Sequence, residues 1–267
     1  MAKTKKQISL AQNFLRSSKL VRSLLAASSI GPDDIAYEIG PGGGIITAEL
    51  ARVARRVIAI EKDPNLAQGL GARFQGIHNV QIIANDFLRY PISDRDYKIF
   101  ANIPYNLTAD IVRKIIYVPP VPGEAYLIMQ KEAAEKFSGC PSETQFSVLA
   151  KPLFDIRILR ELRRTDFAPL PSVDSVLLQI KKRPSALIRK EDACLYRRFV
   201  RYGFCTWKNS LKLTFKPIFT YPQWKHLSRD LHFPLDVIPS RLTFEQWLGL
   251  FECFKQRVPG NKQAYIK

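Results

Sequence analysis

The sequence predicts an α/β fold, a mostly parallel sheet followed by a small helical domain, and three observations lead there. Short apolar runs alternate with segments of helical period, several of those runs stop at a glycine loop or an acid, and past "KKRPSA" (181–186) the pattern turns helical and aromatic. Strands that alternate with helices imply right-handed crossovers and a parallel sheet. The 267 residues suffice for a large domain and a smaller one, placed at 1–182 and 183–267.

In order along the chain, residues 1–8 are basic and polar and read as a mobile arm. Leu20, Val21, Leu24 and Leu25 recur at helical spacing within Ser17–Ser28, and "IGPDD" breaks that helix. "DIAYEIGPGGG" is a short buried strand running into a glycine loop, with "IITAELARVA" the helix behind it. "RVIAIEKD" and "VQIIANDF" are a second and a third strand, each with an acid at its tip, and "YKIFANIPYN" is a fourth. After the helix "ADIVRKIIY" and a proline-rich loop comes "EAYLIMQ", a fifth strand. "FDIRILREL" and "SVDSVLLQIKK", separated by "FAPLPS", form a closing antiparallel pair. The last third interleaves Tyr196, Phe199, Tyr202, Phe204, Trp207, Phe215, Phe219 and Trp224 with Arg and Lys.

The charge narrows the function. With 41 Lys and Arg against 24 Asp and Glu, the net charge is +17, which points to a polyanionic partner. The excess is uneven: Arg183–Lys267 holds 16 basic and 6 acidic residues. No apolar run approaches the roughly 20 residues of a membrane span, and "MAKTKKQISLAQNF" has no signal-peptide core; the expectation is a cytoplasmic protein with no membrane partner. Cys140, Cys194, Cys205 and Cys253 lie far apart, with no C-x-x-C and no neighbouring His pair. That pattern argues against a zinc site or a disulfide framework and for a reducing compartment, so no metal is expected.

The chemistry gathers at strand ends. "EIGPGGG" (38–44) sits between strand and helix, where glycines admit a ligand to the backbone and the helix start offers N–H groups. Glu61, about 20 residues beyond and at the tip of the second strand, is placed to grip ribose hydroxyls. Asp86, at the tip of the third, can accept from an adenine amine. Together these favour an adenosine-containing cofactor in the crevice at the carboxyl ends of parallel strands. "NIPY" (102–105) faces the same crevice. The Asn102 carboxamide oxygen and the carbonyl before Pro104 are two fixed acceptors for one exocyclic NH2, and the Tyr105 ring can stack on the base that carries it. Two acceptors orient an amine lone pair toward an electrophilic methyl and stabilise charge developing on nitrogen, so no strong general base is required.

These segments, with "AQNFL", "ANDFL" and "FAPLPSVDSVLLQI", resemble the rRNA adenine-N6 methyltransferases, the family that holds the erythromycin-resistance (Erm) enzymes and the small-subunit rRNA adenine dimethyltransferases. The resemblance covers nearly the whole chain. It implies a Rossmann-like S-adenosylmethionine-dependent methyltransferase domain, S-adenosyl-L-methionine as cofactor and ribosomal RNA as partner, with a monomer expected. It assigns Gln12, Asn13, Leu15, Gly40 and Gly42 to the methionine and ribose region, Glu61 to the ribose, with Lys62 beside it, and Asp86 and Phe87 to the cofactor base. Asn102, Pro104 and Tyr105 match the catalytic motif, Asn102 also bordering the cofactor, and Phe167 matches the aromatic that sandwiches the flipped adenine. Arg113 and Lys114 beside that motif, and Arg197, Arg198 and Lys208 in the basic tail, are the expected RNA contacts. The tail "RRFVRYGFCTWKNSL", "FTYPQW" and "LTFEQWLGLF", and Asn13 where the small-subunit branch commonly has His, favour Erm and a 23S target. The alternatives are a 16S dimethyltransferase and a non-enzymatic nucleic-acid-binding factor on the same scaffold.

Overall fold

The structure, a computed structural model, describes residues 13–206 and 210–266. The basic arm, Gln12 and Lys208 lie outside those residues. Two compact units result: one of the described residues up to Ala134 together with Ile156–Lys182, the other of Glu135–Asp155 together with the residues from Arg183 on.

The first unit begins with β1 (Phe14–Leu15) and α1 (Ser18–Leu25), the latter started by the Ser17 hydroxyl, which accepts the Leu20 N–H. Then β2 (Ile35–Ile39), α2 (Ile45–Leu50), β3 (Arg56–Glu61), α3 (Pro64–Arg73), β4 (Val80–Ala84), β5 (Lys98–Asn102), α4 (Thr108–Tyr117) and β6 (Glu124–Gln130) alternate as the apolar runs require. Asp63 caps α3 by accepting from Asn65 and Leu66, with Pro64 in the first turn. After α5 (Lys131–Ser138) and α6 (Gln145–Ala150) come β7 (Phe154–Leu162), β8 (Phe167–Ala168) and β9 (Ser175–Lys182).

Seven strands form one sheet in the order β4-β3-β2-β5-β6-β9-β7. Strands β4 to β6 are parallel, and β9 runs antiparallel to β6 with Ile128 opposite Leu177. Chain order runs outward in both directions from the β2–β5 boundary, so the crevice opens there. β2 and β6 are buried along almost their whole length, as a sheet covered on both faces demands. One feature escaped the sequence reading: "FAPLPS" is more than a separator, because β8 within it pairs antiparallel with β1, Leu15 opposite Phe167.

The second unit holds α6 together with α7 (Ala193–Phe204), α8 (Leu211–Thr214), α9 (Tyr221–Asp230) and α10 (Phe244–Arg257). Reciprocal caps start α9 and α10, Thr220 with Gln223 and Thr243 with Gln246. Its core surrounds Phe199, whose ring centroid lies 4.9 Å from those of Phe215 and Phe254 and 5.6 Å from that of Phe251. A division at residue 182 counts 135–155 with the first domain, and this is corrected. Val148 lies in the aromatic core, and the Tyr196 hydroxyl donates to its carbonyl at 2.8 Å.

Candidate active site

The cleft at the β2–β5 boundary brings together six of the expected residues: Asn13, Leu15, Gly40, Asn102, Pro104 and Tyr105. Asn102 ends β5, and its Nδ2 donates to the main-chain carbonyl of Asn13 at 2.6 Å. With the nitrogen committed to a carbonyl, the oxygen is the end left to accept from a ligand. Pro104 is extended and leads into a single 3-10 turn, Tyr105–Leu107, closed by the Leu107 N–H on the Pro104 carbonyl at 3.0 Å. Tyr105 is half-buried, and its hydroxyl lies 2.9 Å from the Ser175 Oγ.

The glycine loop forms the floor. Gly42 adopts φ 54°, and a Cβ there would stand 2.4 Å from the Phe14 ring, so a side chain would block the passage of β1 over the loop. A Cβ on Gly40, by contrast, would meet nothing within 4 Å. The loop is tied to the next strand by Glu61, whose carboxylate accepts the Gly42 N–H at 3.1 Å and the Asp63 N–H at 3.0 Å. Two of its roughly four acceptor sites are thereby used.

Glu38, one strand over, opens the glycine motif, and the sequence alone gives it no role. It is 1 % exposed, lines the cleft and accepts from the Thr47 hydroxyl at 2.6 Å. Burial pushes its carboxyl up to about 8; the neighbouring charge of Glu61 adds to the rise and the Thr47 hydrogen bond opposes it. The other buried acids of this unit have cations, Arg22 for Glu49 and Lys181 for Glu124. Glu38 and Glu61 have none among the described residues. Two buried carboxyls without a cation, beside open space over Gly40, suit a ligand that carries positive charge and hydroxyl donors. S-adenosylmethionine, with its sulfonium, ammonium and ribose, fits that donor set.

Elsewhere the structure revises the expectations. Asp86 forms an ion pair with Lys62 at 2.9 Å and accepts the Leu88 N–H at 3.0 Å; the Lys62 bond leads in holding its carboxyl below the usual range. Neither Asp86 nor Lys62 lines the cleft. Phe87 is buried beneath the Lys114 ammonium, 4.7 Å from the ring centroid. Lys114 is not the free RNA contact expected of it: its Nζ donates to the carbonyls of Phe87 and Tyr90, and burial lowers its pKa. Arg113 does point to solvent, paired loosely with Asp110 at 3.6 Å. Arg197 and Arg198 are exposed on α7 of the second unit. Phe167 is corrected as well. It is 2 % exposed and packed in the core with Leu15, so its ring is not presented to a base in this conformation. Among the described residues no His, Cys, Asp or Glu cluster could hold a metal ion, and no helix is long and apolar enough to cross a membrane.

The sequence reading missed three contributors: Glu38, Ser175 and the Asn13 carbonyl. An acid inside the apolar run "IAYEI" was the visible signal for Glu38. A serine at the start of a buried strand was a weak one for Ser175, and nothing in the sequence marks a main-chain carbonyl.

Residues 3–255 match the family model described as ribosomal RNA adenine dimethylase. A protein of Limosilactobacillus reuteri named rRNA adenine N-6-methyltransferase is 33% identical over 254 residues, which cover 94% of this chain and 98% of that one. A Thermotoga maritima protein named ribosomal RNA small subunit methyltransferase A is 30% identical over 247 residues, 91% of this chain and 86% of that one. Among solved structures, the 23S rRNA methyltransferase ErmE superposes with a TM-score of 0.85 at 27% identity, over 91% of this chain and 100% of that one.

Proposed function

Because the chain belongs to the ribosomal RNA adenine dimethylase family, and is thus an S-adenosylmethionine-dependent rRNA adenine methyltransferase, we propose that its target is N6 of an adenosine in 23S rRNA. Modification there would confer macrolide-type resistance. The observation that carries the chemistry is Asn102. Its nitrogen is fixed on the Asn13 carbonyl, and its oxygen stands at the end of β5 beside Pro104 and Tyr105.

What S-adenosylmethionine supplies when bound is an electrophilic methyl on a sulfonium. Asn13, Leu15, Gly40 and Glu61 hold it, Gly40 by leaving room and Glu61 by its remaining lone pairs toward ribose. Glu38 meets its positive charge, which favours the ionised carboxylate over the neutral form that burial otherwise maintains. The Asn102 oxygen and the Ile103 carbonyl accept the two N–H bonds of the target amine. The nitrogen lone pair is left facing the methyl, and charge growing on N6 is spread onto two acceptors. The Tyr105 ring stacks on the base, which must leave its helix to reach this depth. Lys62, Asp86 and Phe87 support the cofactor base from behind, through the Lys62–Asp86 pair. Arg113, Arg197 and Arg198 contact phosphates.

The extent and closeness of the likeness to ErmE support 23S rRNA. The Thermotoga relative, at similar identity, supports the second reading, a 16S target. Incubating the protein with protein-free 23S and 16S rRNA and mapping N6-methyladenosine tests both. Methylation confined to 16S would replace the first reading with the second.

A further inference from the structure

The geometry points to Ser175 as a positioning residue for the reaction, one that fixes where the Tyr105 ring lies by holding its hydroxyl end. The inference rests on the reading of Tyr105 as the residue that stacks on the target adenine. Tyr105 heads a 3-10 turn of three residues, an element too short and loosely bonded to fix a side chain by itself. Rotation about the Cα–Cβ bond moves a side chain among three staggered positions, so holding the ring in one of them calls for a second point of attachment.

That second point is the Ser175 Oγ, 2.9 Å from the Tyr105 hydroxyl. Ser175 is built to be immobile. It is 1 % exposed, opens β9 and is paired with Gln130 of β6. The residue before it is fastened twice, by the Lys131 N–H on the Asp174 carbonyl at 2.9 Å and by Arg164 Nε on the Asp174 carboxylate at 2.8 Å. The ring is therefore suspended between the β5 turn at one edge and the antiparallel strand at the other. A stacking surface held at both ends presents the base amine to Asn102 in one place, and transfer rates depend steeply on that placement.

The test is a double-mutant cycle of Ser175→Ala and Tyr105→Phe, each of which removes one half of the same hydrogen bond and leaves the aromatic surface in place. It is read by single-turnover methyl transfer to rRNA with saturating cofactor, beside calorimetric cofactor affinity and the melting temperature. Each single variant is expected to slow transfer about 3- to 10-fold, the scale of one hydrogen bond. The double variant should be no slower than the slower single one, with cofactor affinity unchanged in all. Effects that multiply, or a Ser175→Ala protein that only melts earlier and transfers at the wild-type rate, would overturn the role. Wild-type protein that methylates neither 23S nor 16S rRNA would instead sink the reading on which the inference rests, and the inference with it.

Discussion

The second unit builds its core mainly from rings, whereas the first buries two carboxyls that no cation among the described residues answers. Phe199 packs among Phe215, Trp247, Phe251 and Phe254, and the acid buried in that unit, Glu143, is paired with Lys151 and bonded to Ser147. In the first unit Glu49 and Glu124 are likewise paired, but Glu38 and Glu61 are buried against hydrogen-bond donors alone. Burying a carboxyl without a cation sacrifices stability, whereas burying aromatic rings gains it. The aromatic unit is thus optimised for holding together and for carrying a basic exterior. The first unit is compromised around the glycine loop, where Glu61 holds the Gly42 amide and Glu38 lines the cleft.

The largest effect expected from this contrast is on stability. Phe199→Ala should cost about 3–5 kcal/mol, seen as a lowered denaturation midpoint; an unchanged midpoint would mean that the ring cluster does not hold the second unit. Asn102→Ala should reverse the pattern. Transfer falls by about 10²–10³-fold, the scale for losing one oriented polar group at a reacting centre, while melting and calorimetric cofactor affinity stay near wild type. A collapse of cofactor affinity would reassign Asn102 to the cofactor. Glu61→Ala should weaken cofactor binding by about 1.5–3 kcal/mol, since it would remove the proposed ribose acceptor and leave the Gly42 and Asp63 amides without theirs. Equal affinity would show that Glu61 only pins the loop.

The smallest effect belongs to the basic exterior. Replacing Arg197 and Arg198 by Ala should lower the slope of log affinity against log salt by ~0.7–0.9 for each phosphate no longer neutralised, irrespective of RNA sequence. An unchanged slope would reduce them to solvated charge. Substitution is the right tool here and truncation the wrong one. A chain ending at Lys182 would keep 135–155 and remove the core in which Val148 is buried.

Much of this was legible in the residues. The parallel strands announced themselves as apolar runs with acids at their tips, and Asn102, Pro104 and Tyr105 sit in the cleft as the motif implied. What was not legible depended on pairings between distant segments. Lys114 reads as a surface cation, and only the fold brings the Phe87 and Tyr90 carbonyls to its ammonium. Phe167 matches the aromatic that sandwiches a flipped adenine, yet its pairing with Leu15 draws it into the core. The segment 135–155 follows the sixth strand of the sheet, and chain position alone assigns it to the wrong unit.

The two-strand clasp of β1 and β8 has a kinetic and a dynamic consequence. It joins positions about 150 residues apart, so its closure bears a large loop entropy and comes after the local elements have formed. Two residue pairs and the Arg16 N–H on the Asp166 carbonyl hold it shut, against the long ladders of the main sheet. Native-state hydrogen exchange should therefore find the amides of Leu15, Arg16 and Phe167 opening at a lower free energy than those of β5 and β6. Such an opening would free the Asn102 amide from Asn13 and uncover the Phe167 ring.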